Sequence, residues 1–125
     1  MAIQIMGTRK CRDTRKAERF FKERKVPFHT VDLAEKGISP GELRNVAAAV
    51  GGLDLLLDRE GKRYVEQGHK HASWSGTALE ALLLRDPLLL RTPLVRNGAQ
   101  ATVGYAPDTW AAWVSSSSGR GGGSG

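Results

Sequence analysis

"AIQIMGTRKCRDTRKAERFFKERKVPFHTVDL", residues 2–33, sets the architecture of everything that follows it. Its opening "AIQIM" is apolar and rich in β-branched residues, which fits a short buried strand closed by Gly7. From Thr14 the apolar positions Ala17, Phe20 and Phe21 fall at helical spacing, with charged residues on the other faces. The helical pattern stops at "KVP", because Pro27 disfavours helix in the residue before it. "FHTVDL", residues 28–33, then alternates as a second strand. Strand, helix and strand in this order form a β-α-β unit with parallel strands and a crossover helix.

Downstream, Ser39, Pro40 and Glu42 make a capping box that starts a helix, with Leu43, Val46, Ala47 and Val50 on one face and Gly51–Gly52 at its end. "LDLLLDREGKRYVEQG" reads as short helical turns around a charged bend. Thr77 and Glu80 suggest a second capping box, before Leu79, Leu82 and Leu83, and Asp86–Pro87 ends that helix. "TPLVRNGAQATVG" predicts a hairpin turning at Asn97–Gly98, since both residues accept positive φ. "PDTWAAWV", residues 107–114, predicts a last short helix that packs Trp110, Trp113 and Val114. The expected fold class is therefore α/β, with a β-α-β half, a helical insertion and a β-β-α half building a mixed four-stranded sheet, the thioredoxin-like element order.

The chain has 125 residues, room for one compact domain, expected over residues 1–114. Residues 115–125, rich in Ser and Gly and lacking apolar side chains, are expected to be disordered. No apolar run approaches the roughly 20 residues that span a bilayer, and the N-terminus lacks the pattern of a secretory leader. With a single cysteine in the chain, no internal disulfide can form, and a reducing cytoplasm is the expected location.

That cysteine, Cys11, lies where the first strand gives way to the first helix. Backbone N–H groups and the positive end of the helix dipole favour thiolate over thiol there. The net charge of +6 is also confined to this neighbourhood: residues 9–25 hold nine Lys or Arg against Asp13, Glu18 and Glu23, while the rest of the chain balances. Arg9, Lys10, Arg12, Arg15 and Lys16 are expected to lower the pKa of the thiol further through charge. Such a thiolate attacks an electrophilic sulfur, or arsenic in an oxyanion, while N–H groups hold the developing negative charge. Thr14 occupies the position of a second cysteine in Cys-x-x-Cys, so resolution requires an external thiol, such as glutathione, mycothiol or bacillithiol, or a second protein.

Two stretches, "IQIMGTRKCRDTRKAERFFKERKVPFHTVDLAEKGIS" and "LLLRTPLVRNGAQATVGYAPDTW", resemble the opening and the carboxy-terminal signature of the arsenate reductase (ArsC) and Spx-type family. The similarity runs from residue 3 to about residue 114. It implies a glutaredoxin-like thioredoxin fold and a monothiol reductase with Cys11 as nucleophile, Thr14 as a donor to it and Arg91 as a distal cation. The anion site it implies is formed by Arg12, Asp13, Arg15, Lys16, Thr92 and Pro93, with Pro93 at the position of the proline that is usually cis in this fold. No bound cofactor is expected; a small thiol such as glutathione would serve as reductant, and a small thiol or oxyanion as substrate. The reductases of the family cradle arsenate with three arginines, where this chain has Asp58, Thr92 and Tyr105, with Arg59 and Arg91 each one place away. Each lost charge-assisted hydrogen bond is worth roughly 1.5–3 kcal/mol, so efficient arsenate reduction is not expected. A redox protein is a further possible partner, and the alternative reading is a non-catalytic Spx-like protein that binds RNA polymerase.

His69 and His71 form an H-x-H without a second cysteine or carboxylate at ligand spacing, so no metal site is expected. "REGK" lacks the remaining positions of a phosphate loop, which argues against a nucleotide cofactor. The basic segment has no interleaved aromatic motif, so nucleic acid is not an expected partner, and neither is a membrane.

Overall fold

The computed structural model describes residues 2–68, 73–74 and 76–119. Strand β1 (Ile3–Gly7) leads into helix α1 (Arg12–Glu23), which crosses over to strand β2 (Phe28–Asp32). The short α2 (Leu33–Lys36) and the longer α3 (Pro40–Val50) follow, then a 3-10 turn at Leu53–Leu56, α4 (Lys62–Glu66) and α5 (Gly76–Arg85). A 3-10 turn at Pro87–Leu89 leads into β3 (Leu94–Asn97), β4 (Gln100–Val103) and α6 (Pro107–Gly119). The four strands form one mixed sheet in the order β2-β1-β3-β4. β1 runs parallel to β2 and antiparallel to β3, and β3 pairs antiparallel with β4. This is the thioredoxin-like α/β arrangement that the sequence predicts.

Both faces of the sheet are covered, and the central strands supply residues to each. Ile3, Ile5 and Val95 pack with Ala17 and Phe21 of α1 and with Trp110 and Trp113 of α6. Met6 and Leu94 point the other way, into a core built from Leu33, Leu43, Val46, Leu79, Leu82 and Leu83 among others. The helical insertion therefore forms one entire layer. Ion pairs tie that layer down: Arg44 of α3 holds Glu80 of α5 through two bonds of 3.0 Å, and Arg96 of β3 reaches Glu42 of α3.

Ser39 caps α3 as its position predicts, its hydroxyl accepting from the Glu42 N–H at 3.1 Å, and Gly51 ends the helix in the left-handed region at φ 107°. Three local expectations are corrected. The hairpin turn is Gly98–Ala99, because Asn97 is held in the sheet opposite both Ile3 and Gln100; only Gly98 takes positive φ. Thr77 and Glu80 form no capping box, since α5 starts at Gly76 and the Glu80 carboxylate is turned onto Arg44. Helix α6 continues past Val114 to Gly119: an established helix propagates cheaply through serines, and no breaker stands before the glycine. No helix among the described residues is long and apolar enough to cross a membrane.

Trp110 is fully buried and its indole N–H donates to Thr102 Oγ1 at 2.8 Å. Trp110→Phe removes that donor and leaves the Thr102 hydroxyl buried without it. The expected loss is about 1–3 kcal/mol, read as a lower urea midpoint at unchanged slope.

Candidate active site

Cys11 occupies the N-cap position of α1, partly buried, with extended backbone angles that let the helix begin at Arg12. Gly7 and Thr14 bring strand and helix together there. A Cβ on Gly7 would stand 2.2 Å from Thr14 Oγ1, so only glycine permits this approach. Thr14 itself is buried. Its Oγ1 makes no hydrogen bond of normal geometry, which leaves a buried hydroxyl beside the thiol with its donor uncommitted.

The other side of the site comes from the far end of the chain. Thr92 Oγ1 donates to Cys11 Sγ at 2.9 Å, and the thiol donates to the Thr92 carbonyl at 3.6 Å. The Thr92–Pro93 peptide bond is cis, and Pro93 is buried. Met6 and Leu94 lie opposite each other in the β1–β3 ladder, which places the two segments side by side.

Burial pushes the Cys11 thiol up, and hydrogen bonds more than offset it: the Thr14 and Thr92 hydroxyls and the backbone N–H groups of Thr14 and Asp13 bring it below the ordinary cysteine range. The protonated thiol makes no capping bond to those N–H groups. They and the Thr14 hydroxyl act on the thiolate. The N–H groups at the helix start contribute as their position suggests, and the Thr92 hydroxyl adds a donor from the other end of the chain. Arg12, Arg15 and Lys16 are exposed. Arg9 faces Asp32 at 3.8 Å, Arg15 donates to the Arg9 carbonyl, and Lys16 sits by Asp13 and 5.0 Å over the Tyr105 ring. These side chains give the surroundings a positive field, while the donors at the sulfur set its acidity.

Two cavities flank the β1–α1 loop. One of about 380 Å³ lies between α1 and α2, with Arg15 and Lys36 opposed by Glu18, Asp32 and Glu35. The other, of about 430 Å³, is lined by Lys10, the chain neighbour of Cys11, and by Thr92, whose hydroxyl is bonded to the sulfur. Arg91 is not part of either. It lines a third cavity with Asp54, Asp58, Arg59 and Glu60, and its N–H donates to the Leu56 carbonyl at 2.7 Å. Arg59 is itself paired with Asp54. The structure thus gathers Arg59 and Arg91 with carboxylates in a cavity that shares no lining residue with the one reaching Thr92. His69 and His71 lie outside the described residues, and among the described residues no group of three His, Cys, Asp or Glu is placed to hold a metal ion.

The ArsC family model matches residues 6–113. The chain belongs to the ArsC family. Within it, the uncharacterized protein YusI of Bacillus subtilis is 30% identical over 112 residues, covering 86% of this chain and 94% of that protein. Among solved structures, the YffB (PA3664) protein superposes with a TM-score of 0.79 at 26% identity, over 88% of this chain and 96% of its own. An arsenate reductase from Vibrio cholerae gives a TM-score of 0.76 at 22% identity, over 87% and 94% of the two chains, which shows the shared fold. This ArsC-family chain is accordingly an arsenate-reductase-like thiol protein of thioredoxin-like fold.

The residue whose role the sequence did not disclose is Thr92. It stands where an arginine is expected and supplies the sulfur with a hydroxyl. Thr92→Val keeps the shape and removes that donor. Alkylation of Cys11 by iodoacetamide near neutral pH is then expected to slow several-fold, with the midpoint of the rate–pH profile moved upward. An unchanged profile would show that the hydroxyl does not act on the thiolate.

Proposed function

We propose that this protein is a monothiol reductase of sulfur electrophiles that uses Cys11 as its nucleophile and a small thiol, glutathione or an equivalent, as its reductant. The observation that carries the reading is the convergence on one sulfur of donors from both ends of the chain, Thr14 and the first N–H groups of α1 on one side and Thr92 on the other.

The Cys11 thiolate attacks one sulfur of a disulfide R–S–S–R′ in line with the S–S bond. The new Cys11–S–S–R bond forms as R′–S⁻ leaves and takes a proton from solvent. A small thiol G–SH, as its thiolate, then attacks the R sulfur, forming G–S–S–R and releasing Cys11 as the next leaving group. Cys11 leaves readily because the donors that favour its thiolate at rest also favour it as leaving group. A second turn on G–S–S–R, in which Cys11 takes the G sulfur, R–S⁻ leaves and another G–S⁻ resolves Cys11–S–S–G, completes the balance: one disulfide reduced to two thiols, two small thiols oxidised to G–S–S–G, and the protein unchanged. Thr14 provides no second sulfur, so the mixed disulfide with Cys11 is resolved from outside.

Arsenic oxyanions are the weaker substrate class in this reading. Arg59 is paired with Asp54 and Arg91 shares its cavity with acidic residues. An oxyanion bound to Cys11 would therefore depend on the α1 N–H groups and the exposed Arg12, Arg15 and Lys16, with Asp13 at the first turn and Pro93 across the groove shaping its seat. Loss of a guanidinium partner costs roughly 1.5–3 kcal/mol for each bond.

Steady-state reduction of 2-hydroxyethyl disulfide by glutathione, coupled to glutathione reductase, tests the proposal. The wild-type protein should accelerate the reaction, and Cys11→Ser should return it to the protein-free rate while the circular dichroism spectrum stays native. Turnover retained by the serine variant would contradict the assignment of Cys11. A wild-type thiol no faster than free cysteine would remove the reductase reading and leave a binding role, with α1 as the surface through which to search for an RNA polymerase or redox-protein partner.

A further inference from the structure

The cavity of about 430 Å³ that Thr92 connects to the thiol falls within the roughly 300–1,000 Å³ typical of small-molecule sites. Its chemistry is divided. Leu88, Leu90 and Ala34 line it with aliphatic surface, and Leu88 is 37% exposed although it is a large apolar side chain in a tight 3-10 turn. Thr8 and Thr92 supply hydroxyls toward the loop and the sulfur. At the rim stand Arg9, Lys10 and Asp32; Arg9 and Asp32 face each other at 3.8 Å, which leaves Lys10 as the excess charge. Aliphatic surface next to a nucleophile favours a substrate with an alkyl arm, and a single excess cation at the mouth favours a carboxylate on the end of that arm.

Building on the reading of Cys11 as a thiol nucleophile, we infer that the groove walled by Leu88, Leu90 and Ala34 and rimmed by Lys10 selects small disulfides carrying an aliphatic chain that ends in a carboxylate. The reacting sulfur of such a molecule meets Cys11 next to Thr92, the methylenes lie along Leu90 and Leu88, and the carboxylate reaches Lys10. The exchange forms the Cys11–S–S–R bond and breaks the substrate S–S bond. The departing half leaves as a thiolate that solvent protonates, so no further oxidant or reductant enters the step.

The test uses the symmetric disulfides of ω-mercaptoalkanoic acids, from 3-mercaptopropanoic to 8-mercaptooctanoic acid, with the full-length protein. Second-order rates of Cys11 modification are followed by intact mass. Each rate is divided by the same variant's rate with 2-hydroxyethyl disulfide, so that differences in thiol reactivity cancel. In the wild type the ratio should rise roughly two- to fourfold per added methylene, the factor that burial of one CH₂ carries, until the chain reaches the rim. Leu88→Ser should flatten this rise. Lys10→Gln should keep the rise and remove the preference for each acid over the disulfide of the matching ω-mercaptoalcohol. A flat ratio in the wild type, with the thiol still faster than free cysteine toward 2-hydroxyethyl disulfide, would overturn the groove assignment and leave the reductase reading standing. A thiol no faster than free cysteine toward every disulfide would overturn both.

Discussion

A hydrogen bond between residues 81 positions apart, from the Thr92 hydroxyl to the Cys11 sulfur, is the contact on which the rest of the molecule's chemistry depends. It exists because β1 lies between β2 and β3 in the sheet. The parallel neighbour, reached through α1, fixes the direction of the helix whose first N–H groups face the thiol. The antiparallel neighbour, in register through Met6 opposite Leu94, delivers the Thr92–Pro93 segment to the same end of the sheet. A thiol at a helix start alone would have one set of donors. Sheet topology supplies the second.

The inserted helices serve this arrangement from a distance. They bury Met6 and Leu94 on the face opposite α1 and α6, and the pairs Arg44–Glu80 and Arg96–Glu42 connect that layer to itself and to β3. The two 3-10 segments meet through the Leu57–Leu90 bridge and through backbone bonds from Asp58 to Leu89 and from Arg91 to Leu56. That meeting carries Leu88 and Leu90 to the wall beside the thiol and carries Arg91 to the acidic cavity instead. Leucine and arginine are thus distributed to different cavities on either side of this junction.

Features governed by local pattern were legible in the sequence: the β-α-β unit bounded by Gly7 and Pro27, the Ser39 cap, the glycine end of α3 and the buried tryptophans. Features governed by pairing between distant segments were not. The Asn97–Gly98 dipeptide satisfies a turn on its own, but pairing with Ile3 and Gln100 keeps Asn97 in the ladder and moves the turn on by one residue. Glu80 fits a capping box until Arg44, 36 residues earlier, is seen to claim its carboxylate. Cys11 was legible as the reactive position because a strand end, a helix start and a lone cysteine coincide there. The α1 N–H groups and Thr14 were legible as sources of its acidity; the Thr92 hydroxyl, brought in from 81 positions away, was not. The cations expected to add to it reach outward to Asp32, Asp13, Tyr105 and a backbone carbonyl.

Hydrogen bonding and charge make different demands on solvent. Interactions among exposed charges fade as the Debye length shrinks from about 10 Å at 0.1 M salt to about 3 Å at 1 M, whereas fixed donors against a partly buried sulfur are nearly indifferent to salt. The decisive measurement is the thiolate titration of Cys11, by absorbance near 240 nm against a Cys11→Ser blank, at low salt and again in molar sodium chloride. The account predicts a midpoint below that of free cysteine at both, with little movement between them. A midpoint that climbs to the free-cysteine value in high salt would show that the cations set the acidity and that the donors from Thr14 and Thr92 do not.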